Sequence, residues 1–304
     1  MRFRFQPWQL AILVIAACAG VIAFARWRSL AKPYDAAQLL SALPVDRGTL
    51  FFVDVDQLRQ GGILDALAGS KAVEEPDYRN FVDQTGFDYR SDLNSVAAVF
   101  DSGKIYAAIR GRFDWKQLAA YARSQGGVCQ YTICTMPASA PDRNISFYPI
   151  RRDVLALAVT SEERGVATIS PGQGKPKVIP EDPIWLWAPR QSFQRPDSLP
   201  AGVQLLLAPL TNAQSIALSA GPGKNGLRLH AVVALASPND AVAVAKQFQT
   251  LTNSLRQLAP ADAGSGDLMG LLANGSIEPK GASVIAEWPI APEFLKSLAT
   301  DRQP

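Results

Sequence analysis

Histidine is almost missing from this chain: His230 is the single one in 304 residues. Cysteine is nearly as scarce, with Cys18 inside an apolar block and Cys129 and Cys134 flanking QYTI. A lone histidine far in sequence from the cysteines gives no ligand spacing for zinc, so no metal centre and no cofactor is expected. Clusters of Lys and Arg are missing too. Arg2, Arg4, Arg26 and Arg28 flank the N-terminal apolar block, and taking those four from the 30 basic residues leaves 26 against 27 acidic. A body so close to neutral lacks the phosphate-neutralising surface that dominates nucleic-acid affinity, which excludes a nucleic-acid role. No glycine-rich phosphate cradle is present, since Gly172-Gln173-Gly174 has no strand before it and no helix after it.

What is present begins with WQLAILVIAACAGVIAFA, Trp8 to Ala25, 18 residues without a charge. As a helix this block spans about 27 Å, enough for a bilayer core, and Trp8 and Trp27 sit where indole rings favour the membrane interface. An uncleaved single-pass anchor is the leading expectation, with the membrane as partner through residues 8–25. Two processed forms stay open. Ala23-Phe24-Ala25 has the small-x-small form of a signal-peptidase site, and Ile15-Ala16-Ala17-Cys18 resembles a lipobox that would carry a lipid on Cys18. All three place the body outside the cytoplasm, given a short cytoplasmic N-terminus.

Beyond a spacer at residues 32–40, SVAAVFDSGKIYAAIRGRFDWKQLAAYARSQ reads as strand, tight turn, strand and a helix capped by Asp114. On that helix Trp115, Leu118, Ala119 and Ala122 form one apolar face. About 120 residues later, Ser215 to Leu251 repeats the plan, with Val244, Phe248, Leu251, Leu255 and Leu258 as the helical stripe. Two β-β-α-β-β-α-like units in succession predict a duplicated α+β fold with mainly antiparallel sheets, preceded by one N-terminal transmembrane helix. The expected boundaries are an anchor with flanks over 1–30, a first domain over 36–169, a linker over 170–180 and a second domain over 181–304.

The chemistry-bearing candidates are few. TLFFVDVDQL resembles the first motif of haloacid-dehalogenase-type phosphohydrolases, an apolar strand ending in Asp-x-Asp. The resemblance implies Asp54 as nucleophile, Asp56 as acid/base and Mg²⁺ to offset the charge. The family continues with Gly-Thr, where this chain has Gln57-Leu58, and Val178-Ile179-Pro180-Glu181-Asp182 is too short and proline-broken to supply the later metal-binding acids. Alternation offers the simpler reading: Phe51, Val53 and Val55 on the core face, Phe52, Asp54 and Asp56 on the other, with Asp56 capping a helical turn.

Trp185 and Trp187 share one face of PIWLWAPR between prolines that suit an edge strand, and either packs inward or offers an aromatic pair to a glycan or peptide. His230 shares a strand face with Arg228, opposite Leu227, Leu229, Ala231, Val233 and Leu235; no nucleophile motif accompanies it, and it is expected to be a solvated strand residue. An uninterrupted strand would hold Cys129 and Cys134 about 17 Å apart, so a bridge needs a turn between them. Buried thiols and a disulfide of an oxidising compartment both stay open.

Over roughly residues 40–165, LPVDRGTLFFVDVDQLR, TGFDYRSDLNSVAAVF and RGRFDWKQLAAYARSQGG are similar to a loosely defined set of bacterial membrane-anchored proteins of unknown function. That likeness implies an exported, anchored α+β protein and transfers no site residues. The expected role is non-catalytic binding or scaffolding in the cell envelope, with an envelope protein as possible partner. The alternatives are a Mg²⁺-dependent phosphohydrolase on Asp54 and Asp56, and a glycan- or peptide-binding module on Trp185 and Trp187.

Overall fold

The structure, a computed structural model, describes residues 34–46, 48–64, 76–176, 178–179, 181–193, 210, 212–223, 226–258 and 268–291. The N-terminal block Trp8–Ala25 and Cys18 lie outside them. Among the described residues no helix is long and apolar enough to cross a membrane.

Among the described residues, helices alternate with strands. α1 (Ala36–Ser41) leads into β1 (Thr49–Asp54) and α2 (Val55–Gln60). α3 (Pro76–Thr85) and α4 (Tyr89–Asp92) precede the hairpin β2 (Leu93–Asp101) and β3 (Lys104–Gly111). α5 (Trp115–Ser124) is followed by β4 (Val128–Gln130), β5 (Ile133–Pro137), β6 (Asn144–Arg151) and β7 (Val154–Thr160). A 3₁₀ turn at Gly165–Thr168 leads towards β8 (Ile184–Pro189) and α6 (Arg190–Phe193). β9 (Ser215–Gly223), β10 (Gly226–Ala234), α7 (Pro238–Leu258), α8 (Leu268–Ala273), β11 (Ser276–Lys280) and β12 (Ser283–Ile290) complete the described elements.

These strands form one sheet of 12, in the order β11-β12-β10-β9-β8-β1-β2-β3-β7-β6-β5-β4, and every pairing in it is antiparallel. This corrects the expectation of two repeated β-β-α-β-β-α units. The seam is β1 against β8, with Phe52 opposite Trp185 and Leu50 opposite Trp187. TLFFV and IWLW are apolar on both faces, the pattern of strands interior to a sheet; left as edges of separate sheets they would expose unpaired backbone beside large side chains. The same fact corrects the edge-strand reading of PIWLWAPR. β8 lies in the middle of the sheet, and its prolines stand at the strand's two ends, where the ladder loses least.

Each face has its own cover. On one, Leu50, Phe52, Ala97, Val99, Tyr106, Ala108, Ala156 and Ala158 are all buried, and the 3₁₀ turn is fixed there by the Ser146 hydroxyl, which accepts from Val166 N at 3.0 Å, and by the Tyr148 hydroxyl, which donates to Ile169 O at 2.6 Å. Leu39, Leu40 and Leu43 of the α1 region are fully buried, each contributing about 2 kcal/mol of transfer free energy. The expected orientation of β1 is therefore reversed: Leu50 and Phe52 face the deep core, while Phe51 and Val53 are only half-buried.

On the opposite face α5 sets Leu118 and Ala122 against Cys134, Phe147 and Leu155, and α7 sets Ala241, Val244 and Ala245 against Ala231, Val233, Val284 and Ala286. Asp114 caps α5 by accepting from Lys116 N and Gln117 N. Of the stripe expected on α7, Val244 is buried and Phe248 packs against the same cluster, while Leu251 is exposed and Thr252 takes the buried position.

Candidate functional site

Asp54 ends β1 in extended conformation and its carboxylate accepts from Gln57 N at 3.0 Å, so it caps α2. Asp56, assigned that cap from the sequence, is instead the hub of a polar corner. It accepts from Arg59 at 2.5 Å, from the Asn94 amide at 2.5 Å and from Arg110 at 3.5 Å. Arg59 in turn donates to the carbonyls of Arg90 and Leu93, both at 2.6 Å. One carboxylate thus ties α2 to the starts of β2 and the end of β3, and Arg59 extends the tie to α4. Nearby, burial works against the charge of Asp92, but the Asp88 N–H and the Arg112 guanidinium outweigh it and hold that carboxyl below its ordinary value.

This geometry differs from what the phosphohydrolase resemblance implies. β1 has antiparallel neighbours on both sides, whereas that chemistry belongs to the carboxyl ends of a parallel, doubly wound sheet. Among the described residues no group of three or more His, Cys, Asp or Glu could hold a metal ion. Arg110 was legible and missed: it stands on the face that carries Tyr106 and Ala108, and a charge on a buried face needs a partner. Asn94 carries no such signal.

Trp185 and Trp187 do share a face, and they part in exposure. Trp185 is 4% exposed and packs in the core beside Phe52. Trp187 is half-buried and lines a recess of about 270 Å³ with Leu50, Val45 and Val178, rimmed by Asp46 and Lys175. Its floor comes from the β1–β8 register and its walls from two loops, which is why strand patterning alone does not reveal it. The recess is small and amphipathic, suited to one side chain or a small ligand rather than a stacked glycan.

His230 is half-buried, opposite Ser219 on β9 and Glu287 on β12. Ser219 donates not to it but to Asp182, at 2.5 Å, and Asp182 also accepts from Arg228 at 3.4 Å. The serine is therefore engaged by a carboxylate rather than by the imidazole. Cys129 and Cys134 form a disulfide across the β4–β5 pair, the turn at Tyr131-Thr132 bringing them opposite each other.

No family model and no curated protein matches the chain. Among solved structures it is similar to TP0453 at 12% identity: crystal form I with a TM-score of 0.48 over 88% of this chain and 98% of that one, crystal form III with 0.49 over 88% and 99%, and crystal form IV with 0.48 over 86% and 96%.

Proposed function

We propose that the chain is a membrane-tethered, extracytoplasmic protein of the cell envelope whose role is non-catalytic, binding or scaffolding, and that the Trp187 recess is where a small ligand or partner side chain is held. One observation carries this reading. The side chains the sequence offers for chemistry are engaged in building the sheet: Asp54 as a cap, Asp56 by three side chains and Trp185 in the core. The recess beside them instead brings Val45, Leu50, Val178 and Trp187 together with Asp46 and Lys175, apolar surface next to a few polar groups that could orient a small ligand. The Cys129–Cys134 disulfide supports the compartment, since such bonds persist outside the reducing cytoplasm, and the uncharged block Trp8–Ala25 supports the tether.

The test is turnover by the intact chain on a broad phosphoester and glycoside panel, with Mg²⁺ and with EDTA. No metal-dependent turnover is expected; turnover lost in Asp54→Asn would overturn the non-catalytic role. A reporter fused after Pro304 is expected to be active only outside the cytoplasm, and activity confined to the cytoplasm would overturn the localisation.

A further inference from the structure

The side of α7 that meets the sheet changes chemistry along the helix. Ala241, Val244 and Ala245 are buried in the apolar cluster and Phe248 packs on it. From residue 249 onwards the helix carries Gln249, Thr252, Asn253 and Arg256, spaced i, i+3, i+4 and i+7 on one side. That polar side, the end of α8 and the strand β11 line a groove of about 450 Å³, within the range of ligand sites, about 300–1,000 Å³. Its walls are exposed and its floor is buried, with Thr252 and Ile277 each 7% exposed. Two positions earlier, Thr250 returns its hydroxyl to Lys246 O at 2.9 Å, the ordinary way a helical threonine is satisfied. The described residues offer the Thr252 hydroxyl no hydrogen-bond partner, and a buried polar group so placed calls for a ligand or a cost.

Three classes of ligand fit the groove poorly. Arg256 and Glu278 are the charged residues of its lining. Arg256 donates from Nε to Ala273 O at 2.5 Å, from Nη2 to Gly275 O at 3.1 Å and from Nη1 to Asn253 Oδ1 at 3.3 Å; so engaged, and with a carboxylate in the same lining, it holds little attraction for an anion. A metal ion meets the Glu278 carboxylate alone, as no group of three or more His, Cys, Asp or Glu is assembled among the described residues. An added strand is disfavoured as well, although β11 is an edge of the sheet. Gln249 Nε2 donates to Ile277 O at 2.8 Å and so occupies the outward-facing carbonyl. The N–H of Ile277 points the same way, but the next residue in that row is Pro279, which has no donor. What stays available suits a neutral ligand. Gln249 and Asn274 commit their amide nitrogens, the latter to Gly270 O at 2.9 Å, and keep their oxygens as acceptors beside Glu278. Thr252, Ser276 and the Ile277 N–H supply donors. Groups that donate and accept at once, on adjacent carbons, satisfy such a mixed lining, and these are the hydroxyls of a sugar.

We infer that the groove between α7 and β11 binds a neutral saccharide, with the Thr252 hydroxyl on its floor completing a hydrogen bond only when the sugar is present. This is a site separate from the Trp187 recess. The test is saturation-transfer NMR on the intact chain, kept in a sugar-free detergent, with maltose, cellobiose, N,N′-diacetylchitobiose and trialanine as probes. Transfer to at least one of the disaccharides and none to trialanine is expected. Thr252→Val removes the hydroxyl and keeps the shape, and is expected to weaken that disaccharide about five- to tenfold. Its thermal midpoint is expected to be unchanged or higher, because burying an unpartnered hydroxyl is a cost to the fold. Absence of transfer to all three disaccharides overturns the inference. Binding that Thr252→Val leaves untouched also overturns it, since the sugar then sits elsewhere. So does a fall in the thermal midpoint, which would give the hydroxyl a structural role, and so does transfer to trialanine that Thr252→Val abolishes, which would make the groove a peptide site.

Discussion

Trp185→Ala is expected to lower the stability of the folded body by about 3–5 kcal/mol, the range for removing a buried indole. Trp185 is 4% exposed, and its register neighbours are Phe52 on β1 and Ser219 on β9. The cavity therefore opens on the seam where the two runs of strands join. Its effect is expected to reach both sides of that seam. Hydrogen exchange at Ala97–Val99 in β2 and Ala231–Val233 in β10 is the measurement, because amides protected by one cooperative opening lose protection together. Equal loss in both strands is the expected result. Loss confined to β10 would mean that residues beyond β8 unfold on their own.

Asp56→Ala is the second large effect, at about 2–3 kcal/mol. It leaves Arg59, Asn94 and Arg110 without their shared acceptor, and removing one partner of a partly buried ion pair costs more than the pair itself contributes. The upper figures for fully buried pairs do not apply, since the side chains of Asp56 and Arg110 are 28% and 17% exposed and water screens part of the loss. Asp54→Ala should remove about 1 kcal/mol, the ordinary value of a helix cap, and Asp54→Asn only a few tenths, because asparagine caps as well as aspartate. Urea unfolding of the three variants checks the order. A larger loss for Asp54→Asn than for Asp56→Ala would mean that the charge of Asp54, rather than its acceptor oxygen, matters.

The local elements were legible wherever one physical signal decided them. The short apolar runs VAAVF and IYAAI, the tight turn between them and the Asp114 cap gave the β2–β3–α5 segment, and alternation in β10 set His230 opposite its apolar face. The assembly was not legible from the same signals. Recurrence of a β-β-α pattern suggested separate units, whereas the decisive clue was the apolar character of both faces in TLFFV and IWLW, which marks strands interior to a sheet. The Asp56 corner joins residues up to 54 positions apart, and no local pattern encodes such a meeting. Trp187 was found by inspection of its strand, but the recess around it is made by Val45 and Val178 from loops, whose approach depends on the fold being known.

The most direct measurement is the thermal midpoint of the intact chain with and without millimolar Mg²⁺, repeated on Asp54→Asn. A metal held by the native state raises stability by about 2.7 kcal/mol at a hundred times its dissociation constant. With Asp54 capping α2 and Asp56 paired to Arg59, Asn94 and Arg110, no Mg²⁺-dependent rise is expected in either protein. A rise in the unmodified chain that disappears in Asp54→Asn would contradict the architectural role of the two aspartates and restore a metal-dependent site at the end of β1.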